Sequence, residues 1–181
     1  MKRIVKVPEG VEASVEKRLV TVKGPKGTLE RDFSDPRFNK SVSIEKSDSD
    51  LVFESDEDRR KIKAILGTFS SHVQNMIIGV TKGYKYVIEV AYVHFPMNVS
   101  VDGNRLVIKN FLGEKGERSL EFEDDVEVSV NKDEIIVTGL DKEKVGQTSA
   151  NIEQMCNVGK RDRRVFQDGM FIIKKGVNED E

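Results

Sequence analysis

The fold is decided by two segments, RLVTVKGPKGTLERDF at Arg18–Phe33 and RLVIKNFLGEKGERSLEF at Arg105–Phe122. Both begin with Arg-Leu-Val, alternate apolar and polar residues, turn at a Gly-Pro-Lys-Gly or Gly-Glu-Lys-Gly sequence and end on phenylalanine. Alternation with period two is typical of a β-strand, and Gly-rich punctuation between two such runs is typical of a hairpin turn. The two segments therefore predict the same hairpin twice, with a longer loop in the second copy.

Three further blocks repeat in the same order at offsets of 84 to 88 residues, which identifies the chain as a tandem duplication. Val7–Val11 matches Phe95–Val99, Ser41–Phe53 matches Asp125–Val137, and Thr81–Val90 matches Phe166–Lys175. The last match predicts that a strand at Tyr84–Val93 closes the first copy, as Met170–Lys174 closes the second.

Each copy also contains one amphipathic helix. In the first copy, apolar residues recur at intervals of three and four from Ile62 to Ile77, with Ser55 as the predicted N-cap and Gly79 as the predicted stop. The second helix has a weaker stripe from Val145 to Met155, after a possible cap at Asp141. The predicted fold class is α+β, with two tandemly duplicated domains, each a small antiparallel sheet packed against one helix. We place the domains at 1–82 and 83–181, with a boundary anywhere from Gly79 to Tyr92.

Composition limits the function classes. The 181 residues carry a formal charge of −2, and no run approaches the roughly 18 apolar residues that span a membrane. The N-terminal sequence has no apolar signal region, and the single cysteine, Cys156, excludes an intramolecular disulfide. We expect a soluble cytoplasmic protein with no membrane association.

Catalysis and metal binding have little support in the sequence. A dyad of Cys156 with His72 or His94 has no recognisable setting, so a Cys156-dependent enzyme is retained only as a remote alternative. One cysteine and two histidines do not make a zinc pattern, and the acidic runs lack calcium-loop spacing. We predict no catalytic residues, no metal, no cofactor and no small-molecule substrate.

The strongest functional signal lies in QMCNVGKRDRRVFQDGMFIIKKG, Gln154–Gly176. Its six cations face only Asp162 and Asp168, which gives a local charge of +4 on a chain that is otherwise negative. A solvated basic loop after a helix is the simplest interpretation. Three features favour phosphate binding instead: three of the first four cations are arginines, Gly159 and Gly169 would admit a close ligand, and the first copy lacks the loop.

The same stretch resembles the C-terminal signature of a known family. The residues that carry the resemblance include Gln154, Val158, Phe166, Asp168, Gly169 and Met170, and Asn75–Val99 is similar to the central segment of that family. The family is the universal L-six family of large-subunit ribosomal proteins, in the archaeal and eukaryotic branch, called L-nine in eukaryotes. One departure is Phe171, where the family usually has tyrosine.

The resemblance implies a structural protein of the cytoplasmic ribosome that binds 23S-type rRNA near the stalk base and the sarcin–ricin loop. Its implied partners are large-subunit rRNA and neighbouring ribosomal proteins, with translational GTPases docking nearby. The second domain is expected to be the main rRNA contact, and the first domain to contact less RNA. Phe166 is expected to be a buried ring, and Asp168 a turn acceptor.

Carried over to this chain, the expected rRNA contacts are Lys160, Arg161, Arg163, Arg164, Lys174 and Lys175, with Lys109 and Lys115 as weaker candidates. The alternative is a protein-interaction adaptor that uses the acidic first domain and does not bind RNA.

Overall fold

Two tandem units, Met1–Gly83 and Tyr84–Glu181, make up the fold. They are seen in a computed structural model that describes residues 1–36, 41–47, 50–159 and 161–178. Each unit contains short antiparallel strands and one helix, and the duplication predicted from the sequence is matched by two consecutive arrangements of the same type. The α+β class and the tandem duplication are therefore confirmed.

The first unit is built from two three-stranded antiparallel sheets and helix α1. Its elements are β1 (Lys2–Lys6), β2 (Glu12–Glu16), β3 (Leu19–Gly24), β4 (Gly27–Asp32), β5 (Ser43–Ser47), β6 (Asp50–Glu54) and α1 (Arg60–Thr81). One sheet has the order β1-β6-β5 and the other β2-β3-β4. The strands of the unit thus divide between two sheets, where the sequence pattern indicated one.

The core of the first unit follows from the alternation and the helical stripe. Val20 and Val22 of β3 are fully buried, as are Leu51 and Phe53 of β6, because side chains two residues apart lie on the same face of a strand. Residues of α1 from Ile62 to Val80 complete the same cluster. Burial of this apolar surface is the main stabilising contribution to the unit.

Helix α1 begins and ends later than the sequence indicated. It starts at Arg60, and its N-cap position, Arg59, makes no side-chain capping bond. The Ser55 hydroxyl instead accepts a hydrogen bond from the Glu57 amide at 3.2 Å, in the turn before the helix. Gly79 is buried inside the helix and does not end it. Both predicted boundaries were wrong: the Ser55 hydroxyl closes a turn before the helix, and apolar packing at Val80 continues the helix beyond the local stop signal.

The second unit also has two sheets and one long helix. Its elements are β7 (Tyr84–Ala91), β8 (Asn98–Asp102), β9 (Arg105–Lys109), a 3₁₀ turn at Phe111–Gly113, β10 (Glu117–Glu121), β11 (Val126–Asn131), β12 (Glu134–Gly139), α2 (Lys142–Met155) and β13 (Gly169–Val177). The four-stranded sheet has the order β11-β12-β7-β13, and the other has the order β10-β9-β8. The Asp141 carboxylate accepts from the Glu143 amide at 2.8 Å, which confirms the predicted cap of α2.

Strand β7 belongs to the second unit, so the prediction that it closes the first copy was wrong. It pairs with β12 on one side and with β13 on the other. Its structural counterpart is β1, which pairs with β6 in the way that β7 pairs with β12. The sequence match misled because both β7 and β13 are apolar strands preceded by a glycine. Strand β13 has no counterpart among the described strands of the first unit.

The Phe-Leu pair at the tip of the long hairpin folds back on the protein. Phe111 is 1% exposed and Leu112 is 7% exposed. The turn that buries them uses left-handed backbone at Asn110 and Leu112. This hairpin therefore does not present an apolar tip to solvent.

Replacing Gly139 with alanine should destabilise the second unit by about 1–3 kcal/mol, the usual effect of overpacking. The added Cβ would lie 2.8 Å from Cγ2 of Val145 and 3.1 Å from the carbonyl oxygen of Asp125, and the carbonyl cannot move without the strand. Urea unfolding would measure the change. Gly176→Ala in β13 is the matched control, because its Cβ would meet nothing within 4 Å. Equal stability of the two variants would contradict the prediction.

Candidate nucleic-acid interface

The basic connection between α2 and β13 lies on one side of the second unit. Arg161, Arg163 and Arg164 are all exposed there, and Lys160 lies outside the described residues. Helix α2 ends where the connection begins, and the Arg118 guanidinium donates to the Met155 carbonyl oxygen at 2.6 Å. A cation at this position satisfies a carbonyl that has no partner within the helix. The start of the connection is thus fixed by a residue of β10.

Arg161 has a defined position above an aromatic ring. Its Cζ lies 4.9 Å from the centroid of Phe166, a cation–π distance. A guanidinium held above a ring can still direct its N–H groups, which lie in its own plane, to an acceptor. The contact with the ring therefore restricts the position of Arg161. Among the described residues, no ion pair uses its N–H donors.

Arg164 has a different environment. Its Nη2 lies 2.8 Å from Oδ2 of Asp162, and its Nε and backbone amide donate to the same carboxylate. The hydrogen bonds from Arg164 hold the pKa of Asp162 below its ordinary value, and the same bonds raise the pKa of Arg164. Arg164 is therefore exposed but has donors engaged by Asp162, whereas the described contacts of Arg161 and Arg163 include no such pair.

Arg163 lines a groove of about 900 Å³ between the end of β7 and the connection. Aromatic side chains of Tyr92, Phe166 and Phe171 line the same groove. So do the acidic residues Glu89, Asp133 and Glu153. Carboxylates repel phosphate, so we expect a polyanion to contact Arg163 at the rim without entering the groove.

His94 and Asp168 join the connection to the loop after β7. The buried Asp168 carboxylate lies 2.9 Å from His94 Nδ1 and accepts from the His94 amide at 3.2 Å. Burial works against ionisation of Asp168, but the bonds from His94 and from the Val93 amide outweigh it and hold the pKa of Asp168 below its ordinary value. An ionised carboxylate cannot donate, so Nδ1 carries the shared proton.

This geometry corrects three expectations. Phe166 is half-buried, not buried, and stacks on His94 with centroids 5.0 Å apart. Asp168 bonds across 74 residues to His94 and is not merely a local turn acceptor. Gly169 is also buried: a Cβ there would lie 3.2 Å from the Phe171 ring, so the glycine serves packing and not the approach of a ligand.

The remaining predicted cations do not join the arginine cluster. Lys174 and Lys175 are exposed on β13, and Lys174 lies five residues beyond Gly169, roughly 16 Å along an extended strand. A register shift between Ile172 and Lys174 interrupts the pairing of β13 with β7 just before them. These two lysines therefore lie on the strand itself and not in the connection that carries the arginines.

The two lysines of the long hairpin occupy different settings. Lys109 lies 3.6 Å from Glu117, which also lies 3.5 Å from Arg105. Lys115 is exposed next to Glu114, whose carboxylate accepts two bonds from Arg118. Those bonds, followed by the nearby charge of Arg161, hold the pKa of Glu114 below its ordinary value despite some burial. Lys115 therefore lies in a segment next to the arginine connection.

Sequence reasoning missed the roles of Arg118 and His94. Arg118 links three elements: it pairs with Glu114, caps α2, and lies 4.4 Å from the Phe111 ring centroid. Its partner Met155 is 37 residues away, and the partner of His94 is 74 residues away. No periodicity or short motif reports a contact between segments so far apart, so only the tertiary structure shows it.

Cys156 does not have the properties of a nucleophile. It is 3% exposed, and burial raises its pKa to about 11, with the charge of Arg118 partly opposing this. At neutral pH the group is therefore a thiol, whereas the reactive form is the thiolate. Within residues 1–36, 41–47, 50–159 and 161–178, no cluster of three or more His, Cys, Asp or Glu side chains has metal-binding geometry. None of the described helices is long and apolar enough to cross a membrane.

Replacing Asp168 with alanine should destabilise the second unit by about 1–3 kcal/mol at pH 7, because His94 loses two hydrogen bonds to a charged acceptor. The folded-state pKa of Asp168 is lowered, so its contribution is complete above the unfolded pKa of roughly 4 and is lost as pH falls through the folded value. The difference in the free energy of unfolding between the wild type and Asp168→Ala should become smaller only below about pH 4.

Urea unfolding at a series of pH values would measure that difference. Asp133→Ala is the control, since Asp133 is exposed and should change stability little at any pH. If the difference in the free energy of unfolding between the wild type and Asp168→Ala stays constant down to pH 2, the charge of the carboxylate does not cause the destabilisation.

Comparison with known proteins gives a consistent result over both units. A family model described as Ribosomal protein L6 matches residues 7–83 and again residues 95–169. The large ribosomal subunit protein uL6 of Methanosarcina mazei is 44% identical over 173 residues, covering 96% of each chain. The protein of the same name from Haloquadratum walsbyi is 46% identical over 171 residues, covering 94% of each chain. The protein of that name from Methanobrevibacter smithii is 43% identical over 171 residues.

Proposed function

Since the chain belongs to the ribosomal protein L6 family, we propose that it binds large-subunit rRNA through the basic connection of its second unit. As a member of the archaeal branch, it is a structural constituent of the large ribosomal subunit and not an enzyme. We further propose which side chains contact the rRNA and where on the subunit these contacts lie.

The observation that carries the proposal is the asymmetry between the two units. In the first unit, α1 ends at Thr81, and only Lys82 and Gly83 separate it from β7, which is already the first strand of the second unit. In the second unit, 13 residues separate α2, ending at Met155, from β13, starting at Gly169, and three exposed arginines lie among them. The described strands of the first unit include no counterpart of β13, so neither this connection nor β13 is needed for the repeated part of the fold, and the connection is free to serve binding.

The arrangement favours recognition of phosphate and ribose over reading of base edges. Folded RNA presents its backbone and 2′-hydroxyl groups on an accessible surface, while its major groove is too deep and narrow for side chains. Arg161 presents its in-plane donors beside Phe166, which suits a two-point contact with phosphate oxygens. Arg163 provides a second exposed cation. Arg164 can bind phosphate only if its ion pair with Asp162 is broken.

The other predicted cations extend this surface in two directions. Lys115 continues it onto the long hairpin, while Lys174 and Lys175 continue it along β13. Lys109 already lies near Glu117, so its contribution to phosphate binding should be smaller. Lys160 belongs to the same sequence segment. The acidic first unit is assigned a smaller share of the RNA contacts.

Family membership also supports a location for the protein on the large ribosomal subunit. We assign the protein to the region of the stalk base and the sarcin–ricin loop, where translational GTPases dock and neighbouring large-subunit proteins pack. In this role the second unit anchors the protein to rRNA toward the 3′ domain, and the protein supports the surface that translation factors approach.

Replacing Arg161, Arg163 and Arg164 together with alanine should weaken binding to a transcript of the 3′-terminal domain of archaeal 23S rRNA. If each arginine neutralises one phosphate, the slope of log affinity against log salt should become shallower by about two to three units, because fewer counterions are released. Filter binding over a range of potassium chloride concentrations measures both effects.

The matched control removes three exposed cations from the first unit: Arg60, Lys61 and Lys63, each replaced by alanine. Both variants change the net charge equally, so a general loss of attraction would affect them alike. Wild-type affinity and salt slope in the arginine variant would refute the assignment of these contacts. If the wild-type protein sediments away from large subunits and binds no rRNA, the alternative of a protein-interaction adaptor is favoured.

The location is tested independently by hydroxyl-radical footprinting of archaeal 23S rRNA, with iron tethered at Cys residues introduced at Arg163 and, as a control, at Lys23 in the first unit. We expect cleavage from position 163 near the base of the sarcin–ricin stem, and weaker or different cleavage from position 23. Cleavage from position 163 confined to distant rRNA domains would contradict the assigned location, while leaving rRNA binding itself intact.

A further inference from the structure

His94 lies outside the basic connection but is fixed to it. It follows β7, three residues after Ala91, and its ring and backbone amide both bond to the Asp168 carboxylate. The side chain of Asp168 has no exposed surface, while that of His94 is 34% exposed. Two bonds to one buried carboxylate restrict both the position and the rotation of the imidazole.

The His94 ring supports Phe166. The two ring centroids are 5.0 Å apart with an interplanar angle of 29°, a stacked arrangement. Phe166 is only half-buried, so its surroundings alone do not confine it as a core would. The stacked imidazole therefore supplies a substantial part of the packing that holds this phenyl ring.

Phe166 in turn supports Arg161, whose Cζ lies 4.9 Å from the same ring centroid. The resulting order of contacts runs from a buried carboxylate through an imidazole and a phenyl ring to an exposed guanidinium. An exposed arginine on a flexible side chain normally loses rotamer freedom when it binds. An arginine already held on a ring loses less, so its contact with phosphate is stronger for the same hydrogen bonds.

We propose that His94 is a positioning residue of the RNA interface: by holding Phe166 in place, it pre-orders Arg161 for phosphate without contacting the RNA itself. This inference rests on the proposed function, since it requires Arg161 to contact rRNA. It adds a residue from outside the basic segment, from the loop between β7 and β8.

The test is a double-mutant cycle on the full-length protein, with binding to the transcript of the 3′-terminal domain of archaeal 23S rRNA as the readout. His94→Asn retains an amide that can reach Asp168 but removes the ring, so it should weaken binding about three- to tenfold, the size expected for loss of one stacked pair. His94→Phe retains a ring and should preserve more of the affinity. In the background of Arg161→Ala, His94→Asn should have almost no further effect.

The control is His72→Asn, which changes the other histidine, on α1 of the first unit, and should leave affinity unchanged. Thermal unfolding and circular dichroism of each variant show whether the fold is retained. If His94→Asn is too unstable to assay, His94→Gln replaces it in the same cycle, because glutamine also has an amide donor for Asp168 and no ring.

The outcomes separate the two claims. If Arg161→Ala weakens binding but His94→Asn does not, or if the two effects are additive, the positioning role is refuted and the proposed function stands. If Arg161→Ala itself leaves affinity unchanged, the assignment of Arg161 to the RNA interface fails, and the positioning role fails with it. Only non-additive losses, with wild-type behaviour of His72→Asn, support the inference.

Discussion

The pairing of β13 with β7 is the constraint on which the rest of the second unit depends. It runs from Gly169 opposite Ala91 to Val177 opposite Tyr84, and it places a strand at the edge of the sheet that the first unit lacks. Because α2 ends on one face of the sheet and β13 begins at its edge, the chain between them must pass outside the packed core. A surface connection is where a chain can change its sequence with little effect on stability, and the arginines are in this connection.

The two ends of that connection are fixed by side chains from elsewhere in the unit. Arg118 of β10 bonds to the Met155 carbonyl at the start, and His94 bonds to Asp168 at the end. Buried Met170 and Gly169 then carry the chain into the sheet. The connection is therefore held at both ends although most of its side chains are exposed. If the connection binds RNA as proposed, this organisation reduces the entropy lost on binding.

Much of the fold was accessible from the sequence because it depends on local patterns that occur twice. The hairpin at Arg18–Phe33, the stripe of α1 and the Asp141 cap each involve residues within a few positions of one another. The predictions were wrong where the structure depends on contacts between residues that are far apart in the sequence. Tyr84–Ala91 has the pattern of a buried strand in either unit, and only its pairing with Glu134–Gly139 and Gly169–Val177 shows where it belongs. Likewise, the cationic residues of the site could be listed from the sequence, but His94 and Arg118 could not, since their roles come from contacts across 74 and 37 residues.

A protein with a net charge of −2 can bind RNA because charge acts over a limited distance. At physiological ionic strength the screening length is about 8 Å, so acidic residues on remote surfaces contribute little to the potential at the connection. Both acids inside the basic segment have specific partners: Asp168 is buried against His94, and Asp162 is paired with Arg164. Other carboxylates lie nearby, since Glu114 pairs with Arg118 and three acidic residues line the groove beside Arg163. In the proposed function, the potential that an approaching phosphate meets is therefore set by the local balance of arginines and carboxylates, and not by the net charge of the whole chain.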